Sequence, residues 1–401
     1  MDQRGTGSST TITKQSLELK FPNLFLLDDT TPNEEHESMF QEGLNDAVDY
    51  LTCFRADNIV LDAEEIKSAL LIQNSDQAWG AALGQSFGGF CLMTYLSIVD
   101  KPPKICLFTG GIAPMLSPSP YDLYLSLFQR VKERTLRYYD EYPEDISMVK
   151  KIIRHLSSNK VILPSGGILT PRRFLQLGLG LGGTPLYNFL SLHLLISSAF
   201  LNPNDDESKL ILSRNFLKDI DTQQVFDEYP LYFLLHESIY ANGHVDNGTN
   251  WAAYHALQTL IKQNNEWDYT ITANDEHKPV LFYGEMIFPW MNEDYAQLAG
   301  HGMTNLAHSI ATKTTWDTLY NPQQMKTTLS SKKSIACAAV YVDDMYVDFN
   351  ECRKVLGYDG PLKDCKPFIT NVYQHSGIRD DGSVIFDTLW KMAKGLKLIP
   401  S

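Results

Sequence analysis

Several kinds of signal are missing from this chain, and each absence removes a class of function. None of its six cysteines (Cys53, Cys91, Cys106, Cys337, Cys352 and Cys365) forms a Cys-x-x-Cys pair, so neither a zinc site nor a disulfide framework is signalled. Cys91 and Cys337 lie in apolar runs, which reads as buried free thiols in a reducing compartment; the expected location is cytoplasmic. There is no basic block, and 34 basic against 48 acidic residues leave a net charge of −14. That balance excludes nucleic acid and anionic membrane as main partners and favours cationic ligands. The most apolar helical stretch, residues 186–201, is interrupted by Asn188 and His193 and is too short for a membrane span. No repeat, low-complexity tract or signal peptide is visible. Asn247-Gly248-Thr249 is a formal glycosylation sequon, a triplet common by chance.

What is present is material for a large core: 401 residues, 43% of them hydrophobic. Short apolar runs at 79–83, 104–108, 335–342 and 367–372, each flanked by turn residues, predict buried parallel strands. Helical periodicity lies between them. Asp57 is placed to cap a helix with Val60, Ala63, Ile66 and Leu70 on one face, and Ile385, Leu389, Met392 and Leu396 form a similar stripe. From about 117 to 334 helix-like segments dominate, including one that starts at Thr170-Pro171, with one further strand candidate at 279–283. Residues 33–41 are polar and read as a loop. The expected architecture is an α/β sheet body formed by 1–116 and 335–401, with a helical insertion at 117–334.

Chemistry concentrates in WGAALGQSFGGFCLMTYLS, where an apolar strand runs into Gly84-Gln85-Ser86-Phe87-Gly88 and a helix follows at once. This is the setting of a nucleophile elbow, in which a strained turn lifts the serine hydroxyl above the sheet and flanking glycines let two backbones approach. GLGLGG at 178–183 lacks the preceding strand that a dinucleotide loop needs and reads as structural. A serine nucleophile needs a base and the base an orienting acid, in the order Ser, Asp or Glu, His in this fold. Asp343 and Asp344 follow one predicted strand and His375 the last. Spacing does not choose between the two aspartates.

With these residues in hand the sequence resembles the proline iminopeptidases of the α/β-hydrolase superfamily, particularly their fungal-type branch. The likeness is carried by DQRGTG (2–7), FRADNIVLDAE (54–64), LGQSFGGF (83–90), GGIAP (110–114) and LHESIY (235–240). It continues through GEMIFPWM (284–291), VYVDDMYVDF (340–349) and HSGIRDDG (375–382). It implies Ser86 as nucleophile, His375 as base, Asp344 as the acid and the Phe87 N–H as an oxyanion donor. The insertion becomes a cap domain, with Glu237 and Glu285 as the candidates to hold the substrate's ammonium group and Tyr240, Phe288 and Trp290 as an apolar wall. The implied activity is a serine aminopeptidase that releases N-terminal proline, or another small residue, from peptides with a free N-terminus, and no metal or cofactor is called for. In the family a glycine-rich loop that supplies a second oxyanion donor precedes DQRGTG. Here Met1 stands directly before it, so the expectation is an N-terminally truncated chain lacking the first strands. Two other functions fit less well: a carboxylester hydrolase using the same triad, and a non-catalytic binding protein of the same fold.

Overall fold

Four short strands place every candidate catalytic residue. The computed structural model describes residues 1–25, 34–71 and 78–396. Strands β1 (Ala82–Gln85), β2 (Ile105–Thr109), β3 (Ile335–Tyr341) and β4 (Lys366–Thr370) form one parallel sheet in sequence order. Its registers include Gln85 against Thr109, Thr109 against Ala339, and Tyr341 against Thr370, so the carboxyl ends of the strands are aligned. The central strand reads Ile-Ala-Cys-Ala-Ala-Val-Tyr, and all but its first residue is buried. Alternate residues serve opposite faces. Ala336, Ala338 and Val340 pack with the helix Phe87–Ile98 through Phe90, Met93 and Leu96. Cys337, Ala339 and Tyr341 pack with Ile385, Leu389 and Ala393 of the helix Gly382–Ala393. A sheet covered by helices on both faces explains why its strands read as continuous apolar runs.

Between β2 and β3 the chain is mainly helical. The helix Pro120–Glu141, capped by Ser119 with Pro120 at its first position, is the longest described element. Thr170 caps the helix Pro171–Leu175 by accepting from the Arg173 N–H. The hydrophobic cores divide differently from the sequence expectation. Ile12, Leu17, Leu24, Leu44, Ala47 and Leu51 belong to the core of the helical body, together with Leu127, Met303 and Leu306. In the other direction Leu319, Tyr320, Met325 and Leu329 join the core of the sheet body. The reason is spatial: the helix Glu34–Thr52 packs against His301–Ala311, and Pro322–Ser330 packs against Phe87–Ile98.

Three local expectations are corrected. Residues 34–41 are the first turns of the helix Glu34–Thr52 rather than a loop, while Asn33 lies outside the described residues. Residues 280–283 of the run 279–283 are buried but unpaired as a strand; Tyr283 N–H donates to the Leu175 carbonyl at 2.8 Å, so the end of the helix Pro171–Leu175 rather than a neighbouring strand takes its backbone. Arg55, not Asp57, is the N-cap of the helix Ala56–Leu70. Asp57 sits in its first turn, where a carboxylate still favours the helix dipole. Of the two predicted stripes, Val60, Ile385 and Leu389 are buried but Ile66, Leu70 and Leu396 are exposed. Leu396 lies beyond the end of the helix Gly382–Ala393.

Candidate active site

Ser86 connects β1 to the helix Phe87–Ile98 with φ of 54° and ψ of −124°, a conformation that side chains with a Cβ rarely adopt. The turn is held by its surroundings. Ser86 N–H donates to the Thr109 carbonyl at 3.0 Å, and the Ser86 carbonyl accepts from Gly89 N–H at 2.8 Å. A Cβ on Gly84 would lie 2.3 Å from the Gly88 carbonyl oxygen, so β1 and the helix meet too closely for any side chain there. The second glycine of the motif behaves otherwise: a Cβ on Gly88 would meet nothing within 4 Å. It is Gly89 that is sterically required, since its Cβ would stand 2.3 Å from the Gly111 carbonyl. Phe87 is the first helical residue, so its N–H has no intrahelical acceptor, and the residue lines the cavity beside Ser86.

His375 follows β4 and is nearly buried. Its Nδ1 lies 2.7 Å from Asp344 Oδ2, and Asp344, after β3, is 1% exposed. The other carboxylate oxygen of Asp344 accepts from the N–H groups of Tyr346 and Val347 at 2.8 and 3.0 Å, which fixes the side chain. Asp343, its sequence neighbour, points away and pairs with Arg137 at the surface. Burial opposes a charge on His375, but the charge and hydrogen bond of Asp344, assisted by Glu285, outweigh it and raise the imidazole pKa above 6.5. Gly110 and Gly111 bring serine and histidine together. A Cβ on Gly110 would lie 3.1 Å from His375 Nδ1, and one on Gly111 would lie 2.6 Å from the Ser86 carbonyl. Gln85 donates to the His375 carbonyl at 2.9 Å, tying the end of β1 to the histidine loop. No hydrogen bond joins the Ser86 hydroxyl to the ring; such bonds commonly tighten only when substrate binds.

Tyr346 meets His375 edge-on at 4.7 Å, and its hydroxyl donates to the Leu179 carbonyl. Leu179 belongs to GLGLGG, which forms the 3₁₀ turn Gln176–Gly182. A Cβ on Gly182 would fall 2.1 Å from the Tyr346 ring. Arg134 clamps the same turn by donating to the carbonyls of Leu181 and Gly183. The run thus supports the ring that packs on His375.

Ser86 and Phe87 line a cavity of about 380 Å³ with Phe54, Phe90, Tyr232, His236, Tyr240 and Glu285, and Gln3 and Thr6 of DQRGTG lie at its wall. The aromatic residues expected there divide. Tyr240 lines the cavity, whereas Phe288 and Trp290 stack on each other at 5.0 Å inside the helical core. Phe54, Phe90 and Tyr232 take their place. The two glutamates divide as well. Glu285 is on the cavity wall. Glu237 is 2% exposed, is not among the lining residues, and accepts from the N–H groups of Ala252 and Ala253, each at 3.0 Å, at the start of the helix Ala252–Asn264. Sequence reasoning missed His236, Phe54 and the N-terminal loop. LHESIY and FRADN contain the first two, but nothing in linear order says that the two segments meet. They do so through Arg55, which donates to the carbonyls of Ser238 and Ala241 and stacks on Trp316. A larger, more polar cavity of about 560 Å³ shares only Tyr240 with the first and contains neither Ser86 nor His375.

This geometry can be compared with known proteins. A curated proline iminopeptidase from Aeromonas sobria is 34% identical over 392 residues, covering 98% of this chain and 79% of the relative. The chain belongs to the proline iminopeptidase family. The proline iminopeptidase aneH from Aspergillus aculeatus is 29% identical over 396 residues, covering 98% of this chain and 77% of its own length. No protein-family profile matches the chain. Membership accounts for the parallel sheet flanked by helices, which is the α/β-hydrolase arrangement of proline iminopeptidases. Among the described residues no helix is long and apolar enough to cross a membrane.

Proposed function

We propose that this protein is a serine aminopeptidase that releases N-terminal proline from peptides, with Ser86, His375 and Asp344 as its triad. The observation that carries the reading is the Ser86 turn: a positive φ between a buried strand and a helix, next to a buried His375–Asp344 pair. His375 takes the Ser86 proton as the hydroxyl attacks the prolyl carbonyl, then passes it to the departing amine. Asp344 holds the imidazole in its tautomer and stabilises the imidazolium. The Phe87 N–H stabilises the oxyanion of the tetrahedral intermediate. Water then hydrolyses the acyl-enzyme through the same groups. Names of the relatives support proline as the released residue.

A free N-terminus has a pKa of about 8 and is mostly protonated at neutral pH, so a carboxylate on the cavity wall recognises it. We assign that role to Glu285. Glu237 acts at one remove, because both its oxygens already accept backbone N–H bonds. The apolar rings of Phe54, Phe90 and Tyr240 provide surface for a pyrrolidine. Six unpaired cysteines support a reducing, cytoplasmic setting.

Two assays test the reading. A fluorophosphonate should label Ser86 and fail on Ser86→Ala, which should have lost turnover of proline 4-nitroanilide. Turnover by Ser86→Ala at the wild-type rate would dismiss the triad. Preference of the wild type for simple acyl esters over free-amine amides would favour a carboxylester hydrolase instead.

A further inference from the structure

The wall of the Ser86 cavity carries two polar side chains that the triad does not use. Tyr232 and His236 stand one turn apart where the helix Pro230–Leu235 passes into the 3₁₀ turn His236–Tyr240, and both line the cavity with Glu285. Their rings stack with centroids 4.7 Å apart and planes 28° apart, and Tyr240 meets the imidazole edge-on at 6.2 Å. The imidazole is therefore held in orientation from two sides. It is nevertheless unsatisfied: His236 Nε2 and the Tyr232 hydroxyl are buried without a hydrogen-bond partner. Buried polar atoms normally find partners, and leaving one unpaired is costly. Two neighbouring residues that line a ligand cavity and each keep a polar atom unpaired point to a ligand group.

The chemistry of that group follows from what surrounds the ring. The polar groups acting on His236 are the backbone carbonyl and the carboxylate of Glu285. Both favour an imidazolium, yet burial outweighs them and lowers the pKa below 6.5. At neutral pH the ring is uncharged, with one N–H and one lone pair. A cationic imidazole would repel an ammonium ion, whereas a neutral one accepts from it. The terminal nitrogen of proline is a secondary ammonium with two N–H groups. One carboxylate satisfies one direction; the other N–H, buried in an apolar cavity, needs a second acceptor that adds no further negative charge.

We propose that the imidazole of His236, oriented by Tyr232 and Tyr240, accepts the second N–H of the substrate's terminal ammonium beside Glu285 and so helps to select substrates with a free N-terminal amine. The inference rests on the aminopeptidase reading and extends it by one specificity-determining residue. His236→Phe keeps the stack on Tyr232 and removes both nitrogens; His236→Gln restores an acceptor. For each variant kcat/KM is measured on proline 4-nitroanilide and on the 4-nitrophenyl ester of cyclopentanecarboxylic acid, which has the ring without the amine. Rates are divided by the fraction of Ser86 labelled with a fluorophosphonate, so unfolded protein does not count. His236→Phe should lose about 10- to 100-fold on the proline substrate, mainly through KM, with the carbocyclic ester changed less than about threefold. His236→Gln should recover part of the loss. Equal losses on the two substrates, or no loss on either, would overturn the role of His236. A wild type whose hydrolysis of proline 4-nitroanilide is negligible beside that of the ester would overturn the aminopeptidase reading itself, and the inference with it.

Discussion

Asp343 and Asp344 are adjacent in sequence and differ in burial and in partners. Asp344 is buried, accepts two backbone N–H bonds and holds His375 at 2.7 Å. Asp343 makes a partly exposed ion pair with Arg137, an interaction of small energetic consequence. Asp344→Asn should therefore lower kcat by about 10⁴-fold, while Asp343→Asn should stay within about threefold of wild type. Steady-state kinetics on proline 4-nitroanilide decides it, and the reverse order would reassign the acid. The same pair sets a pH dependence. As the proposed base His375 must be neutral to take the Ser86 proton, and its pKa is raised above 6.5. As pH falls through that value the base is lost, so the acidic limb of the kcat/KM profile should have its midpoint above 6.5. In Asp344→Asn the residual activity should show a lower midpoint. A limb unmoved by that substitution would mean that another group is titrating.

At the scale of elements, the junction of β1, the helix Phe87–Ile98 and the turn after β2 contains two adjacent glycines with opposite demands. Gly88 has open space around its missing side chain, whereas a Cβ on Gly89 would collide with the Gly111 backbone at 2.3 Å. Both are helical, where alanine is favoured over glycine by about 1 kcal/mol. Gly88→Ala should be neutral or stabilising, and Gly89→Ala should lower the melting temperature and the fluorophosphonate labelling of Ser86. Equal tolerance would show that the helix can shift away from β2. This junction also marks how far the sequence could be read. The strand–turn–helix at Ser86, the four strand regions and the places of Asp344 and His375 beyond strand ends were legible because each depends on local pattern or on topology. The steric roles of Gly88 and Gly89 were not, because a motif records spacing and the clash involves Gly111, over twenty positions away. Residues 279–283 looked like a strand for a similar reason: an apolar extended run predicts burial, but a strand exists only with a partner. Glu237 and Glu285 were indistinguishable in sequence, since each is an acidic residue in a family motif. What separates them is where the start of the helix Ala252–Asn264 falls in space.

For the molecule as a whole, that helix start links stability to pH. Segment 247–251 approaches it through left-handed backbone at Asn247, Gly248, Asn250 and Trp251, and it is pinned by the Glu237 carboxylate on Ala252 and Ala253. Burial outweighs the hydrogen bonds that favour the carboxylate, and it raises the Glu237 pKa from 4.5 to about 7. The folded state therefore binds this proton more tightly than the unfolded chain. The resulting stabilisation is fully present below 4.5, declines as pH rises, and is gone above about 7. A shift of that size corresponds to about 3 kcal/mol at full development. Other buried groups also titrate, with pKa values raised at His375 and Asp145 but lowered at His236. The raw pH dependence of wild type therefore does not isolate Glu237; a difference between proteins does. Glu237→Gln keeps an acceptor oxygen but cannot ionise. Relative to wild type, its melting temperature should be lowest under acid conditions, where the wild-type carboxyl is protonated at no charge penalty. It should improve steadily between about pH 5 and pH 8. A pH-independent difference would mean that Glu237 is ionised in the fold throughout, with the two backbone bonds prevailing over burial.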